Sequence, residues 1–363
     1  MGRLLENQYQ PDVVTSPGET LADTIQALGM EQNDLAERIG LTPKTVNKII
    51  KGGASITPDT ALLLERALGV PATFWLNRQR RFDELQARSE ERGRLQVSSD
   101  WVRQFPFSTM VKYGWVPAAD TIIKRIEVIL NYFGVVSPSV WESYWDTVEV
   151  SYRKSERFAT NKYSLAAWLR RGEVIGQSIH CQPFDADKFK SSLFEIRSLT
   201  TLSASEFQPK LIDTCASCGV AVAFVKELPK TASGATRWLT SEKALIQLSL
   251  KYKTDDHLWF TFFHEAGHIL RHQKKGIYLE WSRHQGQEEE EANRFATDVL
   301  IPPSSWKKFP STGRITKSSI CAFARVEKIA PGVVVGQLQH KGKLPRSHCN
   351  DLKGRLMWSC SAT

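Results

Sequence analysis

The stretch Trp259-Phe260-Thr261-Phe262-Phe263-His264-Glu265-Ala266-Gly267-His268 decides how the C-terminal half of this 363-residue chain is built. An apolar run leading into two histidines four apart reads as a buried helix with both imidazoles on one face, their Cβ atoms about 5–6 Å apart. At that spacing His264 and His268 reach one zinc ion, and Glu265, one residue round the helix, is positioned as a general base. Chance is a poor explanation. Even with Asp counted as Glu, eight histidines and 39 acidic residues produce such a pentad about 0.02 times.

A catalytic zinc site takes a third protein ligand and keeps an open fourth position. His272 continues the same helix face, but on a straight helix it lies a further turn away and is not expected to join. Glu288-Glu289-Glu290-Glu291 cover every side of a second helix, so at least one of them faces inward. The apolar stripe Ala292, Phe295, Ala296, Val299 extrapolates back to Glu288 and Glu289. Glu289 is preferred and Glu288 is second, because Asn293 stands four residues beyond Glu289, where it can hydrogen-bond a ligand from behind.

Working outward, residues 219–225, 235–239 and 244–250 read as strands from their β-branched or alternating apolar residues. Helices are expected over about 256–274 and 287–300, the second stopped by Pro302-Pro303. An antiparallel sheet packed on helices is the economical arrangement, with an edge strand near 244–250 able to take a substrate backbone by strand addition. Tyr252, Arg237 and His257 are weak candidates for stabilising an oxyanion. Residues of about 100–200 show helical periodicity and carry Trp101, Trp115, Trp141, Trp145 and Trp168, with no chemistry assigned. Residues 86–99 are charge-dense and read as a linker or an exposed helix.

The N-terminal part has its own punctuation. Ser16-Pro17 with Glu19, Thr42-Pro43 and Thr57-Pro58 each put a capping hydroxyl before a proline suited to the first helical turn. Gly29, Gly40, Gly52-Gly53 and Gly69 supply the stops. Four or five short helices result. Within them Gln32, Leu35, Ala36 and Ile39, then Gly40, then Thr42 to Ile50 follow the helix-turn-helix pattern, with Val46, Ile49 and Ile50 inside. Gln32, Thr42, Lys44, Thr45, Asn47, Lys48 and Lys51 are left to meet base edges and phosphates of double-stranded DNA. Residues 1–85 hold 9 Lys+Arg against 11 Asp+Glu, so binding by bulk charge is not expected.

The net charge of +9 comes entirely from residues 301–363, with 11 Lys+Arg against 2 Asp+Glu, and this basic tail could meet an acidic partner, nucleic acid or solvent alone. Six cysteines are too sparse for a disulfide scaffold. Cys215 and Cys218 have metal-ribbon spacing without a second pair, so two small buried residues near a helix end are expected. No run approaches the ~20 apolar residues of a membrane span, and Met1 to Glu6 shows no secretory core. A soluble, cytoplasmic protein is the expectation.

Two resemblances attach to these residues. Pro17-Gly18-Glu19, Leu35-Ala36-Glu37-Arg38 and the run Thr60 to Gly69 continuing to Phe74-Trp75-Leu76-Asn77 resemble the HigA-type antidote branch of the XRE helix-turn-helix family. That implies operator binding as a homodimer. The His264 pentad, Glu291-Ala292-Asn293-Arg294-Phe295-Ala296 with Leu300-Ile301-Pro302, and Ser233 to Arg237 are similar to the ImmA/IrrE family of glutamate-zincin metallopeptidases. That implies Zn2+ held by His264, His268 and Glu289, with Glu265 as general base and a partner regulatory protein as substrate.

The expected architecture is mainly α with a C-terminal α+β domain. It comprises a helix-turn-helix domain (15–85), a helical connector (86–195) and a zincin-like peptidase domain with the basic tail (196–363). The competing expectation is a noncatalytic antidote or repressor whose C-terminal domain only binds a partner, such as a toxin.

Overall fold

The computed structural model describes residues 15–152, 161–272, 277–279, 286–309 and 315–358. The chain divides into two compact units between Ser98 and Ser99. Cys360 lies outside the described residues.

The first unit is helical: α1 (Pro17–Ala27), α2 (Gln32–Ile39), α3 (Pro43–Ile50), α4 (Pro58–Leu68) and α5 (Ala72–Gln96). Ser16, Thr42 and Thr57 each accept a backbone N–H at the start of α1, α3 and α4, with proline in the first turn. Gly40 and Gly69 close α2 and α4 in the left-handed region, at φ 68° and 71°. The core gathers Leu21, Leu35, Ala36, Val46, Ile49, Leu64 and Trp75. Gly18 lies directly on the end of α3: a Cβ there would stand 2.2 Å from the Ile49 carbonyl. Residues 86–94 continue α5 as an exposed helix, and Leu95 near its end is buried.

The second unit begins with α6 (Ser99–Arg103), α7 (Phe107–Lys112), α8 (Ile122–Phe133) and α9 (Pro138–Tyr152). The tryptophans of this region build a core: Trp101, Phe105, Phe133, Trp141 and Tyr163 pack ring on ring, with Trp141 stacked on Tyr163 at 5.1 Å. Next come α10 (Lys162–Ser178), α11 (Ala186–Ser198) and α12 (Ala204–Ala216). Although α10 falls inside the stretch read as a connector, it packs on the sheet. Its Trp168 indole donates to the Val225 carbonyl, and Gln247 of the sheet donates to the Trp168 carbonyl.

The sheet holds β1 (Val220–Phe224), β2 (Gly234–Thr240), β3 (Lys243–Leu248) and β4 (Ile277–Leu279), in the order β1-β3-β2-β4. It corrects two expectations. The sheet is mixed, because β1 runs parallel to β3 while β2 is antiparallel to β3 and to β4. And β3 is a central strand, bonded on both sides, so residues 244–250 offer no edge for strand addition. The reason is legible in burial: β1 and β3 are covered along almost their whole length, whereas β2 becomes progressively exposed.

Helix α13 (Asp255–Arg271) packs against β2 and β3, and α14 (Gln287–Leu300) packs against α13. The chain continues through α15 (Pro303–Trp306), α16 (Lys317–Glu327) and α17 (Pro331–His340). The basic C-terminal segment is folded onto this unit. Leu344 and Leu356 are buried, Leu356 N–H donates to the Lys253 carbonyl, and Lys353 pairs with buried Asp256. Cys215 and Cys218 are buried free thiols at the end of α12. Among the described residues no helix is long and apolar enough to cross a membrane.

Candidate metal centre and helix-turn-helix face

Helix α13 is buried on nearly every side, from Leu258 to Ile269, which follows from its apolar run and from the two elements that clamp it. On the sheet side, Thr236 donates its hydroxyl to the Glu265 carbonyl at 3.2 Å. A Cβ at Gly234 would stand 2.4 Å from Thr261 and 2.7 Å from the Glu265 carboxylate. On the other side Gly267 lets α14 approach.

Three side chains converge there. His264 Nε2 and His268 Nε2 are 3.0 Å apart. Glu289 places Oε2 at 3.3 Å from His264 Nε2 and Oε1 at 3.4 Å from His268 Nε2. One ligand atom from each of the three lies within 4.8 Å of the others. Both histidines are buried and Glu289 is half-buried, whereas Glu288 is exposed.

The electrostatics agree with this geometry. Burial pushes the Glu289 carboxyl upward, but the contacts with His264 and His268 outweigh it and hold it at about 2. Burial, followed by the neighbouring His264, keeps His268 below the usual histidine range despite Glu289. Behind His264, Nδ1 lies 3.0 Å from Asn293 Oδ1. With the amide oxygen as acceptor, Nδ1 carries the proton and Nε2 presents a bare lone pair. An imidazole lone pair, a second imidazole and a carboxylate meeting at one point are the donor types zinc takes, so the residues present fit a divalent metal.

The structure therefore brings Glu289 and not Glu288 to the histidines, and sets Asn293 against His264 rather than against Glu289. Glu265 is fully buried beside β2. Arg237 is engaged with Glu173 at 3.2 Å, and Tyr252 stacks on His257 at 4.4 Å. His272, set aside in the sequence as a turn too far, puts Nδ1 at 2.9 Å from His268 Nδ1. Its signal was the continued i+4 spacing, read for a ligand and not for a residue behind one.

In the first unit Val46 and Ile49 are buried, while Thr42, Lys44, Lys48 and Lys51 are exposed and Thr45 and Asn47 are half-buried. Thr42 caps α3 through Thr45 N–H. Asn47 Nδ2 donates to Gln32 Oε1 at 3.2 Å, which ties the first residue of α2 to the middle of α3.

Comparison with known proteins agrees with both units. Residues 21–75 match the helix-turn-helix family and residues 222–330 match the IrrE N-terminal-like domain family. The chain thus joins an N-terminal helix-turn-helix domain to a C-terminal IrrE-like domain in a mainly α architecture. Over 68 residues it is 37% identical to virulence-associated protein I of Dichelobacter nodosus, a match covering 18% of this chain and 63% of that protein. Over 69 residues it is 38% identical to antitoxin HigA-1 of Vibrio cholerae, covering 19% of this chain and 65% of the relative. The chain thus spans just under two thirds of the length of these two relatives. Among solved structures, a HigA-family addiction module antidote from Coxiella burnetii matches at 34% identity and a TM-score of 0.22, covering 23% of this chain and 91% of that one.

Proposed function

We propose that the N-terminal unit binds a palindromic operator in double-stranded DNA as a homodimer, and that the C-terminal unit is a zinc-dependent endopeptidase that cuts a partner regulatory protein in the cytoplasm. The observation that carries the enzymatic half is the convergence of His264 Nε2, His268 Nε2 and Glu289 on one point beside buried Glu265. The regulatory half is supported by the exposed face of α3, from Lys44 to Lys51, and by the sequence likeness of this unit to antitoxin HigA-1.

In this reading His264, His268 and Glu289 hold the metal, and Asn293 fixes the ring of His264. Bound zinc supplies Lewis acidity, which polarises a peptide carbonyl and makes water a competent nucleophile near neutral pH. Glu265 takes the proton released as water attacks and returns it to the departing amine. The low-dielectric setting of Glu265, between α13 and β2, strengthens its interaction with the reacting groups. On the DNA side Lys44 and Asn47 face base edges, and Lys51 faces a phosphate.

The test is metal analysis of the purified chain beside a Glu265→Gln variant in a cleavage assay on candidate partner proteins. Retained metal with cleavage abolished supports the peptidase. Regulation that survives Glu265→Gln but fails with His264→Ala makes the metal structural and the C-terminal unit a partner-binding module.

A further inference from the structure

The contact between His268 and His272 fixes more than packing. Their Nδ1 atoms are 2.9 Å apart, so one must donate and the other accept. For His268 to offer Nε2 to a metal, its proton must sit on Nδ1, and that N–H then donates to His272 Nδ1. This leaves the His272 proton on Nε2, which faces Glu291 Oε2 at 3.4 Å. The donor and acceptor of the His268–His272 bond are thus dictated from the metal outward, and the His272 Nε2–H is turned towards the Glu291 carboxylate. His272 is the C-cap of α13, and its own N–H donates to the His268 carbonyl at 3.1 Å, which holds it one turn beyond the ligand.

We infer that His272 and Glu291 form an outer chain that orients His268 and fixes its proton on Nδ1, as Asn293 does for His264. The inference rests on the metal reading above. His272 is a positioning residue and not a ligand, since the three converging groups are His264, His268 and Glu289. The two ligand histidines then have partners of different kinds: an amide oxygen behind His264 and an imidazole backed by a carboxylate behind His268.

The experiment titrates Zn2+ into the full chain against a chromophoric chelator. His272→Phe fills the ring's place without an acceptor and is expected to raise the Kd by about 10–100-fold. His272→Asn puts an acceptor oxygen where Nδ1 stood and is expected to restore affinity to within about threefold. Co2+ substitution should give the same visible bands in all three proteins, because no ligand is lost. Long-range 1H–15N spectra of the zinc-loaded wild type should show the proton on Nδ1 of His268 and on Nε2 of His272. That reading needs no variant, so it decides the matter even if His272→Phe fails to fold. Wild-type affinity in His272→Phe, a Co2+ spectrum showing a lost nitrogen ligand, or the opposite tautomers would overturn the chain alone. A wild type that takes up no metal overturns the metal reading and this inference with it.

Discussion

Gly267 packs closely on Phe295: a Cβ on the glycine would stand 3.1 Å from Phe295 Cδ1 and 3.3 Å from the Ala292 backbone. The neighbours that would have to give, by a few tenths of an ångström, are the Phe295 ring and the backbone of α14, which carries Glu289. Gly267→Ala is therefore expected to weaken metal binding by shifting the carboxylate, while its overpacking cost of about 1–3 kcal/mol is partly offset by the gain of about 1 kcal/mol from alanine inside a helix. Thermal unfolding and a metal titration on the same variant check this. Lost stability with unchanged affinity would mean that α14 adjusts without moving Glu289.

Metal content should sort the glutamates. His264→Ala and Glu289→Ala each remove a converging donor and are expected to emerge from purification without metal, while Glu265→Gln and Glu288→Ala retain it. Atomic absorption on the four proteins decides. Metal kept by Glu289→Ala and released by Glu288→Ala would place the ligand one residue earlier on α14.

On the DNA side, Asn47 is tied to Gln32, so its amide is held in place before any DNA arrives. Asn47→Ala is expected to cost about 1–3 kcal/mol of discrimination at one base pair. Lys51→Ala should weaken all sequences alike and reduce the salt slope by about one. Footprinting and binding across a salt series separate these effects. A uniform loss in Asn47→Ala would make Asn47 a backbone contact.

How much of this was legible beforehand follows from the length of chain each feature needs. Caps, turns and the His264 pentad are encoded within a few residues, and Ser16, Thr42 and Thr57 all cap helices in the structure. The inward register of α14 was also legible, because the stripe from Ala292 to Val299 spans two turns. The order of the sheet was not: placing β3 between β1 and β2 depends on pairing that no single window contains. Nor was the docking of the C-terminal segment, since the partner of Lys353 lies on α13, and the charge count left the tail to an acidic partner, nucleic acid or solvent. His272 stays outside the converging group, as its spacing implied, but its place behind His268 was not legible from spacing alone.

The docked segment also changes how its charge must be tested. Cutting after about residue 344 removes Leu356 and strips buried Asp256 of Lys353, whose Nζ lies 2.7 Å from the carboxylate. Breaking a buried pair costs about 3–5 kcal/mol, so truncation would report unfolding and not DNA affinity. Lys353→Ala alone is expected to destabilise the C-terminal unit by about that amount, read by thermal unfolding. Charge effects belong to substitutions at exposed Arg346 and Lys343, where an unchanged salt slope would take this segment out of DNA binding.

Two neighbouring carboxylates at the start of α13 should respond to pH with opposite signs. Asp256 is held at about 2: burial alone would raise it, but His257, Lys353 and Thr254 favour its charged form. Its folded value lies below the unfolded one, so its contribution is present above about pH 4 and lost as pH falls from there towards 2. Asp255 is raised to about 6, chiefly by burial and with Asp256 adding to it. Here the folded state binds more protons than the unfolded between about pH 4 and 6, so stability falls as pH rises through that window. Asp255→Asn cannot ionise and escapes this loss. Relative to wild type, its stability should improve by about 2–3 kcal/mol between pH 4 and pH 7, whatever the substitution costs at either end. Denaturant unfolding of both proteins at the two pH values measures the difference. A constant gap would mean that the Asp255 carboxyl titrates alike in the folded and unfolded chains, and that the backbone N–H of Gly354 offsets its burial completely.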